Sequence, residues 1–192
     1  YVPFPQAVPR VPVIDTKHCL YFTKGVCRVC EKVCPVGAIN YEQEDEIIEL
    51  EVGAIIVATG YEEYDPRNLP EYGYGIFPEV ITGLQLERLA SSFGPTRGKI
   101  LVPGKNKEPE SVAIIACSGS RDEKHLPYCC RVGCMNALKH AWYIRHSVGD
   151  TKIYVIAPEI RSFGKGYEEF YRRIRSEGVI VIRGRASEVH RS

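Results

Sequence analysis

An α/β fold containing a parallel sheet is the fold class that the sequence predicts, and three observations carry it. From Ser111 onward the short apolar runs SVAIIA, KIYVIA and VIVIRG alternate with the stretches CRVGCMNALKHAWYIRHSVGD and YEEFYRRIRSEG. Alternation of this kind implies crossover connections and parallel pairing, here half of a doubly wound arrangement. Upstream, IIELEVGAIIVATG reads as two further strands, Ile47–Val52 and Ala54–Ala58, the second continuously apolar as a strand buried on both faces is. Alongside them, eight cysteines fall into two groups of four, a density that calls for metal or disulfide chemistry.

Taken in order, the chain begins with Pro3, Pro5, Pro9 and Pro12, each fixing φ and removing an N–H donor, so the first dozen residues read as extended, irregular chain. The first cysteine group follows, then the two strands, which end at Thr59 and Gly60, where backbone can approach a ligand. Residues 61–81, rich in Pro, Gly and Tyr, read as a loop. TGLQLERLASSFGP predicts a helix: Thr82 and Gln85 form a capping box, Leu86, Leu89, Ala90 and Phe93 make one apolar face, and Gly94 with Pro95 stop it. GPTRGKILVPGKNKEPE is linker-like and marks a plausible boundary. In the next helix Val132, Met135, Leu138 and Trp142 fall on one side. In the last, Tyr167, Phe170, Tyr171 and Ile174 recur at helical spacing and Gly178 ends it.

Composition narrows the function classes. The 192 residues are 44% hydrophobic and 26% charged with a formal net charge of +1, ordinary globular values that point to neither a nucleic-acid partner nor a membrane surface. No apolar run is long enough to span a bilayer and no signal peptide opens the chain, which leads to the expectation of a cytoplasmic protein. The opening YVPFPQAVPRVPVID reads as mid-protein sequence, and the chain is expected to be part of a longer one. A chain with ample apolar runs does not need disulfide staples, so the cysteines read as metal ligands.

The first group is Cys19, Cys27, Cys30 and Cys34, with Pro35 directly after the last. A C-x2-C-x3-C-P run wraps one loop around an iron–sulfur cube so that backbone N–H groups face the sulfurs, and Cys19 can supply the remaining ligand from upstream. Zinc ribbons usually pair two C-x2-C knuckles, and only one is present here, so the spacing favours a [4Fe–4S] cluster over zinc or disulfides. The second group is Cys117, Cys129, Cys130 and Cys134. Cys117 ends a strand where a dinucleotide-binding unit would carry G-x-G-x-x-G, but Cys117-Ser118-Gly119-Ser120-Arg121-Asp122 offers a single Gly, which speaks against a nicotinamide site. Cys130 and Cys134, expected one turn apart on a helix face with Cys129 at its start, can converge with Cys117 on a second cluster; alternatively Cys129 or Cys130 packs as a small apolar residue. His18, His125, His140, His146 and His190 are scattered, and no hydrolytic triad is visible.

CSGSRDEKHLPYCCRVGCMNALKHA resembles the second cluster motif of the CoB–CoM heterodisulfide reductase iron–sulfur A-subunit family of methanogens and related anaerobes. PFPQAVP, EVGAIIVATGYEEYD, VITGLQLERLASSFGPTRGKI and EIRSFGKGYEEFYRRIRSEGVIVIRGRASEV resemble further segments of that family in the same order, so the likeness covers essentially the whole chain. The resemblance implies part of a thioredoxin-reductase-like flavoprotein fold with a parallel Rossmann-type sheet and a small ferredoxin-like cluster insert. The implied division is 1–12 a flavin-proximal loop, 13–46 the insert, 47–105 the end of an FAD-binding domain, and 106–192 a Rossmann-like domain with the second cluster motif.

The same resemblance implies an oxidoreductase subunit carrying FAD and [4Fe–4S] clusters, in which flavin-based electron bifurcation joins one- and two-electron chemistry, with this stretch inactive by itself. The partners it implies are ferredoxin, other heterodisulfide reductase subunits, and a hydrogenase or formate dehydrogenase electron-input subunit. Gln6 and Ala7 would lie beside the flavin, Thr59 and Gly60 against the FAD, and Lys139 near the isoalloxazine, where a cation favours the anionic reduced form. One position departs from the family pattern Y-C-S-R-V-C-C-M: Gly133 stands where the first of two adjacent cysteines is usual, and Cys130 where Ser is usual. Cys117, Cys129 and Cys134 carry over, and Cys130 is expected to replace the missing ligand. The competing expectations are a metal-stabilised, non-redox interaction module and a related subunit of a quinone-linked complex from sulfate reducers.

Overall fold

The computed structural model describes residues 11–191. The chain divides into two compact units, Tyr1–Gly60 and Tyr61–Ser192. In the first, helices α1 (Leu20–Lys24) and α2 (Val29–Val33) are single turns, too short to persist on their own. Gly25 ends α1 in the left-handed region at φ 67°, its N–H returning to Leu20 and Tyr21 carbonyls. Among described residues 11–60 only Tyr41 is buried.

The two strands expected at 47–52 and 54–58 do not form. Ile47 is 93% and Ile56 90% exposed, and the segment makes no strand pairing among the described residues. The physical reason is that a strand exists only through its neighbour, and no described segment pairs with this one.

The second unit is α/β, with a three-stranded parallel sheet. β1 (Ser111–Ile115), β2 (Lys152–Ala157) and β3 (Ile180–Arg183) lie in the order β1-β2-β3, with Ala113 opposite Tyr154 and Tyr154 opposite Ile180. The crossovers are α4 (Gly133–Ser147) and α5 (Tyr167–Ser176), so the alternation read from the sequence holds. α3 (Gly83–Ala90) precedes the sheet and packs on α4, which also packs on β1, β2 and α5. Leu138 and Ile144 of α4, Ile153 and Val155 of β2 and Ile174 of α5 are fully buried and form the core. Ser120 and Arg121 carbonyls accept from Arg185, and Tyr72 donates to the Ala186 carbonyl, so the segment after β3 is pinned back on the unit.

Two helices differ from their sequence outlines. α3 has the full capping box, Thr82 Oγ1 accepting from Gln85 N–H while the Gln85 side chain accepts from Thr82 N–H, but it stops at Ala90. Phe93 therefore lies beyond the helix and is 66% exposed rather than on its apolar face. The chain folds back so tightly there that a Cβ on Gly94 would stand 1.8 Å from the Arg88 carbonyl oxygen. α4 starts at Gly133, because Arg131 just before it is left-handed at φ 66° and cannot continue a helix backwards. Val132 is consequently exposed, and the buried face runs through Ala137, Leu138, Ala141 and Ile144, with Met135 and Trp142 packed only partly at its flanks.

Ile174→Ala is expected to cost about 2–5 kcal/mol through its cavity and Thr82→Ala about 1 kcal/mol through the lost cap. Urea unfolding of the two variants checks the ranking; equal losses would contradict this description of the core.

Candidate metal centres

The first cysteine group is carried by α1, α2 and the turns around them. Cys19 is the N-cap of α1, Cys30 lies in α2, and Cys34 is its C-cap. Cys27, between the helices, is left-handed at φ 75°, a strain of about 1–2 kcal/mol for a residue with a Cβ. After Pro35 the chain turns through Gly37 at φ 62° and brings backbone N–H groups onto Cys34, Ala38 N–H donating to its Sγ at 3.3 Å. The N–H groups of Ala38 and Val36, with that of Gly37, outweigh partial burial and hold the Cys34 thiol below its ordinary value. Tyr41 Oη is within hydrogen-bonding distance of Cys30 Sγ.

The second group surrounds the start of α4. Cys117 follows β1 in the left-handed region at φ 60°. Burial pushes its thiol up, Cys134 adds to this, and the Arg121 guanidinium opposes it. Cys134, in the first turn of α4, is buried and donates to the Glu159 carbonyl at 3.8 Å. Cys129 and Cys130 precede α4 rather than lying in it, so Cys130 and Cys134 do not share a helix face as the sequence suggested. The turn draws N–H groups onto both sulfurs instead: Arg131 N–H to Cys129 Sγ at 3.4 Å and Gly133 N–H to Cys130 Sγ at 3.3 Å. A Cβ on Gly133 would stand 2.8 Å from Cys130 Sγ, so the cysteine sulfur occupies space that a side chain at 133 would otherwise take.

Around this group, the Glu159 carboxylate accepts from Arg121 at 2.9 Å and from Arg161 at 2.6 Å, which places one guanidinium near Cys117 and the other near Cys129 and Cys134. The Glu159 hydrogen bond, foremost, and the nearby Cys129 and Cys134 hold Arg161 in its charged form. Gly119, the single glycine of the turn after β1, serves a close approach of protein: a Cβ there would meet the Tyr64 ring at 2.3 Å.

All eight cysteines are unpaired. Their chemistry fits an iron–sulfur centre, since each group offers four soft sulfur donors with backbone N–H groups already turned onto sulfur. Among the described residues no three Cys, His, Asp or Glu side chains converge on one metal position, so the sulfurs are grouped without being gathered on a single point.

Lys139 and His140 of α4 meet Glu87 of α3. Glu87 Oε1 accepts from Lys139 Nζ at 2.7 Å and pairs with His140 Nε2 at 2.9 Å, and Lys139 also lies over the Tyr143 ring. His140 is buried, and Gly83 lets α3 approach it: a Cβ there would stand 2.9 Å from His140 Cε1. Glu87 and its link to His140 were not signalled by the sequence, where His140 is one of five scattered histidines. Thr59 and Gly60 are exposed, Gly60 with φ 80°, and Gln6 and Ala7 lie outside the described residues. Burial alone would raise the Glu87 carboxyl, but hydrogen bonds from Lys139 and His140 hold it below its ordinary value. A depressed carboxyl contributes stability that is complete above its unfolded value of 4.5 and is lost as pH falls through the lower folded one. Glu87→Gln is therefore expected to flatten the decline of melting temperature below that pH; a slope identical to wild type would contradict it.

No family model matches the chain. Among curated proteins it is 50% identical over 98% of its length to the A-subunit of the H(2):CoB–CoM heterodisulfide,ferredoxin reductase of Methanothermobacter marburgensis. It is also 50% identical over 96% of its length to the iron–sulfur A-subunit of the CoB–CoM heterodisulfide reductase of Methanocaldococcus jannaschii. A third relative, 45% identical over 98% of the chain, is the A-subunit of the H(2)/formate:CoB–CoM heterodisulfide,ferredoxin reductase of Methanococcus maripaludis. The chain spans 28% of the length of each. Over that stretch it is homologous to the A-subunit family of the CoB–CoM heterodisulfide reductases.

Proposed function

We propose that this chain is the cluster-bearing part of a flavin-dependent electron-transfer oxidoreductase subunit that works in heterodisulfide reduction. The observation that carries the reading is the pair of four-thiol groups, each with backbone N–H groups aimed at its sulfurs, in a chain homologous to the heterodisulfide reductase A-subunit. Bound clusters and FAD supply one- and two-electron exchange, which is what bifurcation between a low-potential acceptor and a disulfide requires. Cys19, Cys27, Cys30 and Cys34 hold one [4Fe–4S] cluster, and Cys117, Cys129, Cys130 and Cys134 the second. Thr59, Gly60, Gln6 and Ala7 are the flavin-contacting residues of the reading, with Lys139 supplying the cation; the Glu87 pair fixes the ammonium and partly neutralises it. The relatives' names mention H2, formate and ferredoxin, which supports as partners ferredoxin and a hydrogenase or formate dehydrogenase input subunit.

The chain contributes binding and electrostatics to this chemistry. N–H groups of Val36, Gly37 and Ala38 stabilise the Cys34 thiolate, and Arg121 and Arg161 place positive charge beside the second group. Unpaired thiols in both groups suit a reducing compartment, which supports a cytoplasmic location. Among the described residues no helix is long and apolar enough to cross a membrane. The domain division of the reading assigns 13–46 to a ferredoxin-like insert and 106–192 to a Rossmann-type sheet of a thioredoxin-reductase-like fold; the parallel β1-β2-β3 order supports the latter.

One observation favours the competing structural module: among described residues 11–60 only Tyr41 is buried, so a metal there would hold the fold together whether or not it changes oxidation state. A dithionite titration of anaerobically purified protein, followed by EPR, separates the two, because clusters that never reduce sink the redox reading.

The fourth ligand of the second cluster has its own test. Cys130→Ser is expected to remove about four irons, one cluster's worth, and the exchange C130S with G133C to restore them. Unchanged iron in the single variant would exclude Cys130 as a ligand.

A further inference from the structure

Tyr41 is buried in a unit that has almost no interior. Its exposure is 7%, and no other described residue between 11 and 60 is buried. The ring lies against Tyr21 with centroids 4.4 Å apart and near Phe22 at 5.9 Å, and the Arg28 guanidinium sits 5.1 Å over it, itself tethered to Glu31 at 2.7 Å. Two aromatic rings and a cation thus hold the phenol in one orientation, and in that orientation its hydroxyl reaches Cys30 Sγ.

Either atom can donate while the sulfur is a thiol, but once Cys30 is a thiolate only the phenol has a proton to give. An ordinary phenol loses its proton only at about pH 10, so the donor proton is present at neutral pH. Cys30 is exposed, and among the described groups Tyr41 Oη is the one in hydrogen-bond contact with its sulfur.

We propose that Tyr41 sets the reduction potential of the centre held by the first cysteine group, by donating its O–H to the Cys30 sulfur. The inference rests on the reading of that group as an iron–sulfur site. Reduction adds one electron and moves no proton: the external reductant is oxidised, the centre gains negative charge that spreads onto its sulfurs, and the phenol stays protonated. A donor aimed at a ligand sulfur stabilises the more negative state, and hydrogen bonds to sulfur are among the factors that fix cluster potentials. Tyr41 acts through Cys30 and is a positioning residue.

Tyr41→Phe removes the donor and keeps the ring stack. In an EPR-monitored redox titration under anaerobic conditions, the variant is expected to keep its iron and to show a lower midpoint for the first centre. About a tenfold loss in the reduction equilibrium corresponds to ~59 mV for one electron. The second centre, whose midpoint does not move, is the internal reference. Full iron content with an unmoved first midpoint overturns the proposal. If Tyr41→Phe loses iron, Tyr41→Gln, which restores a donor without the ring, decides: iron regained supports the hydrogen-bond role, and iron still absent overturns it in favour of ring packing. Cys30→Ser with unchanged iron overturns the iron–sulfur reading itself and this proposal with it, an outcome distinct from an unmoved midpoint at full iron.

Discussion

Burying one tyrosine contributes about 1.5–3 kcal/mol, whereas ordering a residue's backbone costs about 1–2 kcal/mol. Residues 11–60, with Tyr41 as their single buried side chain, cannot be held by the hydrophobic effect on those terms. On the reading proposed above, sulfur coordination would supply the difference, since metal–thiolate binding in small domains is worth about 10–16 kcal/mol. The features of the first unit suit that reading. Two single-turn helices place Cys19, Cys30 and Cys34 at or near their ends, Cys27 accepts a strained left-handed backbone between them, and the Val36–Ala38 turn directs its N–H groups to Cys34.

The second unit solves the opposite problem. Its sheet and helices close around Leu138, Ile144, Ile153, Val155 and Ile174, and the cysteines sit where β1 and the start of α4 come together. Strain is again concentrated at the thiols: Cys117, Arg121 and Arg131 are all left-handed without being glycine. Placing arginines there puts positive charge beside sulfur, and Glu159 keeps two of them, Arg121 and Arg161, in place.

What could be read from the sequence is what depends on neighbours along the chain. The capping box of Thr82 and Gln85, the three parallel strands and α5 with Ile174 buried behind Phe170 and Tyr171 are encoded within a few residues, and the structure has them, though Tyr167 at the start of that face is exposed. The misses are non-local. Ile47–Ala58 has the composition of strands but no described partner to pair with, and Phe93 was lost to a chain reversal that brings Gly94 onto Arg88. Glu87 meets Lys139 and His140 from another helix, and Tyr41 reaches Cys30 from eleven residues away, so neither appears in any spacing rule. The cysteine groups themselves were legible, but the spacing puts Cys130 one helical turn from Cys134 because the left-handed Arg131 between them leaves no trace in the composition.

Iron and acid-labile sulfide, counted against protein in anaerobically purified chain, test the central claim most directly. Two cubane clusters predict about eight of each per 192-residue chain, with the broad visible absorption of iron–sulfur centres. Stoichiometric zinc with no sulfide would contradict it.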